Sequence, residues 1–443
     1  MNLPWAIAGA LGLAALAVPV GQGARGGGTA YEKDVAFALD ALEKECGHFF
    51  KQKGIDWSAV RKQFSAEVKS VKSDSEHWKL LVRLLARLRD GHAEVRQLEK
   101  GRNVKYPDAG EERRTGPGLF LCRSGKTILV KNAWAEAAGA GIEPGSEVLE
   151  IDGQPAAKWL DARIALLRDT VSFSTEQQAF FFACHWGLAD APGTRREFSV
   201  KTPDGKAMKR VVTYGKASFI PNGAAYPPAG LQAAKDLHYG KTASGFGYIH
   251  LRRAKEDLPE QTDTALAAIG TVPGLILDFR ANGGGGMDHE AFLGRFVPQG
   301  KTLSFGNRYG SAGPAPYGGP IVVLIDGNVR STGETASGIF KEDGRAYMIG
   351  ESATAGMSSQ KKTLELPSQL FGLYVSVASN KGRFNGGRGI EGIGVIPHEV
   401  VEFAAKDLAA KADTLILRAE ELLKKGFPKG KVPYDPAAFG WKP

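Results

Sequence analysis

Cysteine is scarce in this chain. Its 443 residues carry three, Cys46, Cys122 and Cys184, widely spaced. That count excludes a disulfide-stapled small fold, and no metal-ligand spacing appears among them. It allows one disulfide with a thiol left over, or buried free thiols. An acidic excess is also missing: 57 Lys and Arg stand against 48 Asp and Glu, for a net charge of +9. No dense basic run stands out either. Lys and Arg are interleaved with Asp and Glu, which reads as a basic, solvated surface and not as a nucleic-acid interface. No internal repeat is evident. What remains is ordinary globular material, 43% hydrophobic and 24% charged, with room for roughly two to four domains of about 100–200 residues each.

The N-terminus is distinctive. Trp5 to Val20 is an apolar run rich in Ala, Leu and Gly, followed by small residues at Gly21, Gly23 and Ala24. An h-region ahead of small residues reads as a cleaved export signal over 1–24, although no Lys or Arg precedes it. The expected location is periplasmic or extracellular. A retained membrane tether and a buried first helix are the competing readings.

Hydrophobic periodicity divides the rest. Residues 30–98 are helical: Val35, Leu39 and Leu42 fall at helical spacing, as do Leu80, Leu81, Leu84, Leu85 and Leu88, with Asp74 or Ser75 as a cap. Asp90-Gly91-His92 ends that segment as a turn. Glu99–Pro117 is a polar linker. Short strands at Leu119–Cys122, Thr127–Val130, Glu147–Ile151, Phe198–Lys201 and Val211–Thr213 make a β block over 115–215. From 220 to 425 strands and helices alternate, which argues for a layered α/β domain, with Phe403–Lys424 as one long amphipathic helix. A tail over 426–443, rich in Pro, Gly and Lys, is irregular.

Four features can carry chemistry. Ser331 follows the β-branched run Ile321–Ile325 and the turn Asp326-Gly327-Asn328, and precedes a helix. A serine at a sharp strand-to-helix turn is exposed, and the helix N-terminus favours developing negative charge. The same four residues, Ser331-Thr332-Gly333-Glu334, also spell a capping box, and the two readings are compatible. Leu277-Asp278-Phe279-Arg280-Ala281-Asn282 runs into Gly283–Gly286, where backbone N–H groups can approach an oxyanion; the bland alternative is a flexible turn. His92 stands in its turn as one of eight histidines. Glu391 sits in Gly389-Ile390-Glu391-Gly392-Ile393-Gly394-Val395-Ile396-Pro397, able to orient a histidine or simply to face water.

In this order the motifs resemble the C-terminal processing (tail-specific) protease family. The matching segments run from Leu275 to about Val401, and 115–215 looks like that family's PDZ domain, most specifically over Ala140–Gly153. The resemblance implies a crotonase-like layered α/β core with an inserted PDZ-like β domain and an N-terminal helical domain. It implies a serine peptidase acting on peptide or unfolded protein substrates, with no metal or organic cofactor and no nucleic-acid partner. The processing proteases proper use a Ser–Lys dyad, and the lysine position here is Gly356; Lys361 and Lys362 lie further on. The chain therefore looks more like the branch of the tricorn core and the retinoid-binding-protein repeats. There the resemblance assigns Ser331 as nucleophile, His92 as base and Glu391 as its orienting carboxylate. Gly284, Gly285 and Thr332 would supply the oxyanion hole. Gly118, Leu119 and Phe120 resemble a carboxylate-binding loop that captures a peptide C-terminus by strand addition, or a purely structural edge. Departures are Thr332 and Gly333 where Ala is usual, Ala93 where Thr is common, His398 where Asp is usual, and Gly91 where the tricorn core has a serine. Two alternatives remain: a Ser331–Lys361 dyad, and a catalytically weak peptide- or lipid-binding protein on the same fold.

Overall fold

A computed structural model describes residues 29–106, 115–215, 223–305, 307–357 and 359–428. The apolar run Trp5–Val20 and most of the C-terminal tail lie outside them. Among the described residues no helix is long and apolar enough to cross a membrane. The chain divides into two compact units.

One unit is mainly helical. Its first helix, Ala30–Cys46, starts in a capping box in which Thr29 Oγ accepts from Glu32 N–H at 3.2 Å. Val35, Ala38, Leu39, Leu42 and Cys46 make its buried stripe. The Asp74–Ala86 helix is capped by Ser73 and not by the expected Asp74 or Ser75, and buries Leu80, Leu81, Leu84 and Leu85. A hairpin from much later in the chain completes this unit. Strands Lys361–Glu365 and Phe371–Ser376 pair with each other and with Glu94–Gln97. The fully buried Asp34 carboxylate fastens that hairpin, accepting from Ser368 N–H at 2.8 Å and from Ser368 Oγ at 2.6 Å, with His77 Nε2 at 3.0 Å. Lys361 thus begins a strand of the helical unit, although sequence order alone grouped it with the 220–425 segment.

Among the described residues the second unit holds two large sheets and the two-stranded pair Thr302–Phe305 and Asn307–Gly310. A seven-stranded sheet runs in the order Glu399–Val400, Tyr347–Gly350, Ile321–Ile325, Leu275–Asp278, Gly247–Leu251, Leu237–Lys241, Gln232–Ala234. The first five strands are parallel and the last two join antiparallel. Every residue of Ile321–Ile325 is fully buried, which explains its unbroken apolar run. Open parallel sheets place ligand sites where strands end at their carboxyl side. Here two adjacent strands, Leu275–Asp278 and Ile321–Ile325, end together at the loops 280–286 and 326–331.

The other sheet spans Leu119–Thr213, with strands Leu119–Ser124, Thr127–Ala133, Glu147–Ile151, Arg195–Lys201 and Ala207–Thr213 in that spatial order, and Gln154–Pro155 paired to Glu147–Ile151. Leu119 and Phe120 are 1% and 2% exposed, so both side chains belong to the core. All three cysteines are buried free thiols.

Beneath the parallel sheet lies a buried ion cluster. Arg280 donates to Asp278 at 2.6 Å and to both oxygens of Asp413 at 3.0 Å, and all three side chains are at most 3% exposed. Tyr248 Oη donates to Asp278 at 2.7 Å. Burial alone would push the Asp278 carboxyl up, but the guanidinium and these hydrogen bonds hold it below its ordinary value. Asp413 also accepts from Leu415 and Ile416 N–H, capping a new helix. The long helix expected from Phe403 therefore breaks into Ala405–Ala409 and Thr414–Lys425. Hydrophobic period alone does not show that a carboxylate interrupts the stripe.

Removing Arg280 strands two buried carboxylates. Arg280→Met should cost about 3–5 kcal/mol in urea unfolding. A loss below about 1 kcal/mol would mean the cluster is not buried as described.

Candidate active site

Ser331 joins the end of one strand loop to the Thr332–Glu342 helix, with φ 54° and ψ −127°. That backbone region suits glycine and costs another residue about 1–3 kcal/mol. A serine kept there is held by its surroundings. The Glu334 carboxylate reaches back to Ser331 N–H at 3.1 Å. The Glu334 and Thr335 amides bond the Ser331 carbonyl at 3.0 and 3.2 Å. The carboxylate arm of a capping box is thus present, and the Glu334 amide's 3.0 Å bond goes to the Ser331 carbonyl. Ser331 therefore caps the helix as the sequence suggested, on a strained backbone compatible with the second reading.

The glycine loop packs directly on this serine. A Cβ at Gly284 would sit 2.7 Å from Ser331 Cβ and 3.0 Å from the Arg330 carbonyl, so only glycine permits the approach. Asn282 shapes the loop from inside. Its Nδ2 donates to the Leu251 carbonyl at 2.7 Å, and its Oδ1 accepts from Gly284 N–H at 2.8 Å. The same Oδ1 would lie 2.6 Å from a Cβ at position 333, which accounts for Gly333 where a relative would carry alanine. Asp326 ties the two strand loops together. It accepts from Ala281 N–H at 2.9 Å, Asn328 N–H at 2.9 Å and Val329 N–H at 3.0 Å. Burial, and then the nearby Glu351 charge, push its carboxyl up to about 7.

Accounting for the amides narrows the donors available to a ligand. Ser331 N–H goes to Glu334, Gly333 N–H to the Arg330 carbonyl, Gly283 N–H to the Arg252 carbonyl, and Gly284 N–H to Asn282. Among the described residues no acceptor is bonded to Gly285 N–H or Thr332 N–H. Ala254 N–H holds the Gly284 carbonyl at 3.0 Å. In a trans peptide the Gly285 N–H then points the opposite way. The Thr332 hydroxyl donates to the Gly285 carbonyl, binding the two segments to each other.

Glu334 does more than its capping role suggested. It is fully buried, and four donors converge on its carboxylate. Oε1 accepts from Thr354 Oγ at 2.5 Å and Gly356 N–H at 2.7 Å; Oε2 accepts from Met357 N–H at 2.9 Å and Ser331 N–H. Burial pushes the group up to about 7 against those hydrogen bonds, and the neighbouring Glu391 adds repulsion. Glu391 is itself 2% exposed, and the next residue's N–H, that of Gly392, bonds the Gly356 carbonyl at 2.7 Å. Gly356 has φ 77°, and a Cβ there would meet Thr175 Cγ2 at 2.5 Å and Ile393 N at 3.0 Å. The lysine of a Ser–Lys dyad has no room at this position. Sequence reasoning named Glu334 only as half of a cap. Its other signal was weak: a helix-start carboxylate followed at a distance by a small-residue loop rich in amides.

His92 stands in the helical unit. Its turn is built by Asp90, 3% exposed, which accepts from His92 N–H at 2.9 Å, from Ser376 N–H at 2.8 Å and from Ser376 Oγ at 3.1 Å. Asp90 N–H in turn donates to Ser172 Oγ at 2.8 Å.

Residues 245–401 match the family model Peptidase family S41. A carboxyl-terminal-processing protease of Picosynechococcus sp. is 23% identical over 360 residues, covering 78% of this chain and 77% of the relative. One of Synechocystis sp. is 24% identical over 388 residues, covering 84% and 82%. Among solved structures, mature CPAF complexed with lactacystin superposes with a TM-score of 0.64 at 15% identity, over 89% of this chain and 97% of that one. The last likeness bears on the fold.

Two outcomes test this geometry. Ser331→Gly should be more stable than Ser331→Ala by about 1 kcal/mol, because glycine relieves the backbone and alanine does not; equal unfolding midpoints would contradict the strain. Glu334 has its folded value raised from 4.5 to about 7. The folded state then holds a proton that the unfolded chain releases, so this contribution is full below pH 4.5 and is lost as pH rises through about 7. Wild-type stability should therefore fall relative to Glu334→Gln across that window in thermal melts. A relative rise would show the carboxylate to be ionised and held low by its four donors.

Proposed function

Because residues 245–401 match peptidase family S41, we propose that this chain is a serine peptidase that hydrolyses peptide bonds through an acyl-enzyme at Ser331. The observation that carries the proposal is the strained Ser331, packed against the glycine loop, with the Gly285 and Thr332 amides left without an acceptor among the described residues. A serine hydroxyl is a weak nucleophile at neutral pH and needs a base near pKa 7. We assign that role to His92, on the chemistry of imidazole and on the family resemblance. Glu391 is the assigned orienting carboxylate, which would fix the tautomer and stabilise the imidazolium.

In the proposed sequence the Ser331 oxygen adds to the substrate carbonyl and its proton passes to His92. The tetrahedral oxyanion is held by the Gly285 and Thr332 amides. Gly284 was expected to join them, but its N–H is committed to Asn282. We read it as the residue that lets the loop approach. Losing one such donor costs about 10²–10³ in kcat. Collapse expels the amine, which takes the proton from His92. Water then attacks the acyl-enzyme by the same route, regenerating Ser331.

Substrates on this reading are peptides or unfolded proteins, and the relatives' name points to processing at carboxyl ends. Export is part of the proposal, supported by the Trp5–Val20 run. A Ser331–Lys361 dyad is the weaker reading, since the lysine position of the resemblance falls on Gly356, where no lysine fits, and Lys361 lies further along the chain.

Labelling with a fluorophosphonate probe tests these roles. Wild type and Lys361→Ala should label, Ser331→Ala should not, and His92→Ala should label slower by about 10²–10⁴. Label kept in His92→Ala and lost in Lys361→Ala would overturn the assigned base. An unlabelled wild type would favour a binding protein.

A further inference from the structure

The Leu119–Ser124 strand lies at the edge of its sheet, paired on one side to Thr127–Ala133. A free edge of this kind is a template for an added peptide strand. This one is taken. Thr115 N–H donates to the Asp190 carbonyl at 2.9 Å, Asp190 N–H to the Thr115 carbonyl at 3.0 Å, and Leu121 N–H to the Cys184 carbonyl at 3.0 Å. The two contacts share one antiparallel register, since the six residues from Thr115 to Leu121 match the six back from Asp190 to Cys184. A short turn at Trp186–Leu188 bulges between them.

Side chains fasten the same segment. Arg163, from the Ala156–Leu167 helix, donates to the Gly187 carbonyl at 2.6 Å and to the Ala189 carbonyl at 2.9 Å. Tyr214 Oη donates to the Leu188 carbonyl at 2.8 Å. Phe120 meets the rings of Phe181 and His185 edge-on, with centroids 5.3 and 4.9 Å apart. Residues 184–190 therefore lie between the start of this edge, 115–121, and the Ala156–Leu167 helix, where the carboxyl end of an added peptide strand would lie. Gly118, Leu119 and Phe120 form part of this filled edge.

The segment continues from the Glu176–Ala183 helix, whose other end grips the loop beside Ser331. Thr175 Oγ donates to the Ala355 carbonyl at 2.9 Å. Gln177 Nε2 donates to the Thr354 and Ile393 carbonyls, both at 2.9 Å. The amides of that loop, at Gly356 and Met357, are the ones that Glu334 holds.

We infer that residues 184–190 are a built-in ligand strand of this β domain, which sets the 354–357 loop through the intervening helix. The domain does not select substrates by a free peptide C-terminus; its own chain stands in that place. The catalytic half of this inference rests on the Ser331 reading, while the binding half does not.

The binding half is tested on Ser331→Ala protein, which cannot turn a peptide over. A fluorescein-labelled peptide ending in three apolar residues is compared with its C-terminally amidated twin by anisotropy. The inference predicts equal affinities, and slow hydrogen exchange at Leu121 that the peptide leaves unchanged. A free carboxylate that tightens binding by about tenfold or more would overturn it. The catalytic half uses Arg163→Ala, and Phe181→Leu as a milder second variant. Loosening the strand should speed exchange at Leu121, reveal carboxylate-dependent binding, and lower peptidase kcat/KM by about tenfold, the cost of one charge-assisted hydrogen bond. Faster exchange with unchanged kcat/KM in either folded variant would overturn the link to the loop. Failure of the Ser331 reading shows separately, as absent fluorophosphonate labelling of wild type.

Discussion

The candidate site depends on one buried carboxylate. Glu334 sits where a helix begins, and four donors from two segments meet on it: the Ser331 amide, and from the 354–357 loop the Thr354 hydroxyl and the Gly356 and Met357 amides. Without that acceptor the 354–357 loop would have buried N–H groups with no partner, each costing about 1–3 kcal/mol. The strained turn at Ser331 would also lose the bond that fixes its amide. The same burial that makes these hydrogen bonds strong makes the charge expensive, so the group sits near neutrality, with Glu391 close by. Strain in one residue is thus held by convergence from two segments.

The two loops that frame the serine follow the same logic. Each emerges from the carboxyl end of a fully buried parallel strand, and each is fixed by an inward-pointing side chain of its own sequence, Asn282 in one and Asp326 in the other. The glycines do the complementary job of removing side chains where backbones must touch. Gly284 against Ser331 and Gly333 against Asn282 are two faces of one close contact. Among the described residues this arrangement leaves the Gly285 and Thr332 amides, on either side of the contact, without a bonded acceptor.

Much of this was legible in the sequence. The strand runs, the turn before Ser331, the capping box and the glycine loop all have local signatures, and the local pattern agrees with the fold. Gly356 was legible as a departure, and the structure adds its reason: a positive φ and neighbours at 2.5–3.0 Å leave no space for a lysine. What sequence reasoning did not reach is non-local. The hairpin Lys361–Ser376 pairs with Glu94–Gln97 across more than half the chain. The break before Thr414 comes from a carboxylate shared with Arg280. The edge expected to receive a peptide is occupied by Cys184 and Asp190. In each case periodicity finds an element, and a few long-range hydrogen bonds decide where it goes.

The central claim is that the strained serine is the nucleophile. Acid-quenched reaction with a slowly deacylated peptide ester, followed by mass-spectrometric mapping, tests it most directly. The account predicts an acyl increment on the fragment containing Ser331, absent from Ser331→Ala. An increment on any other residue, or turnover that persists in Ser331→Ala, would contradict it.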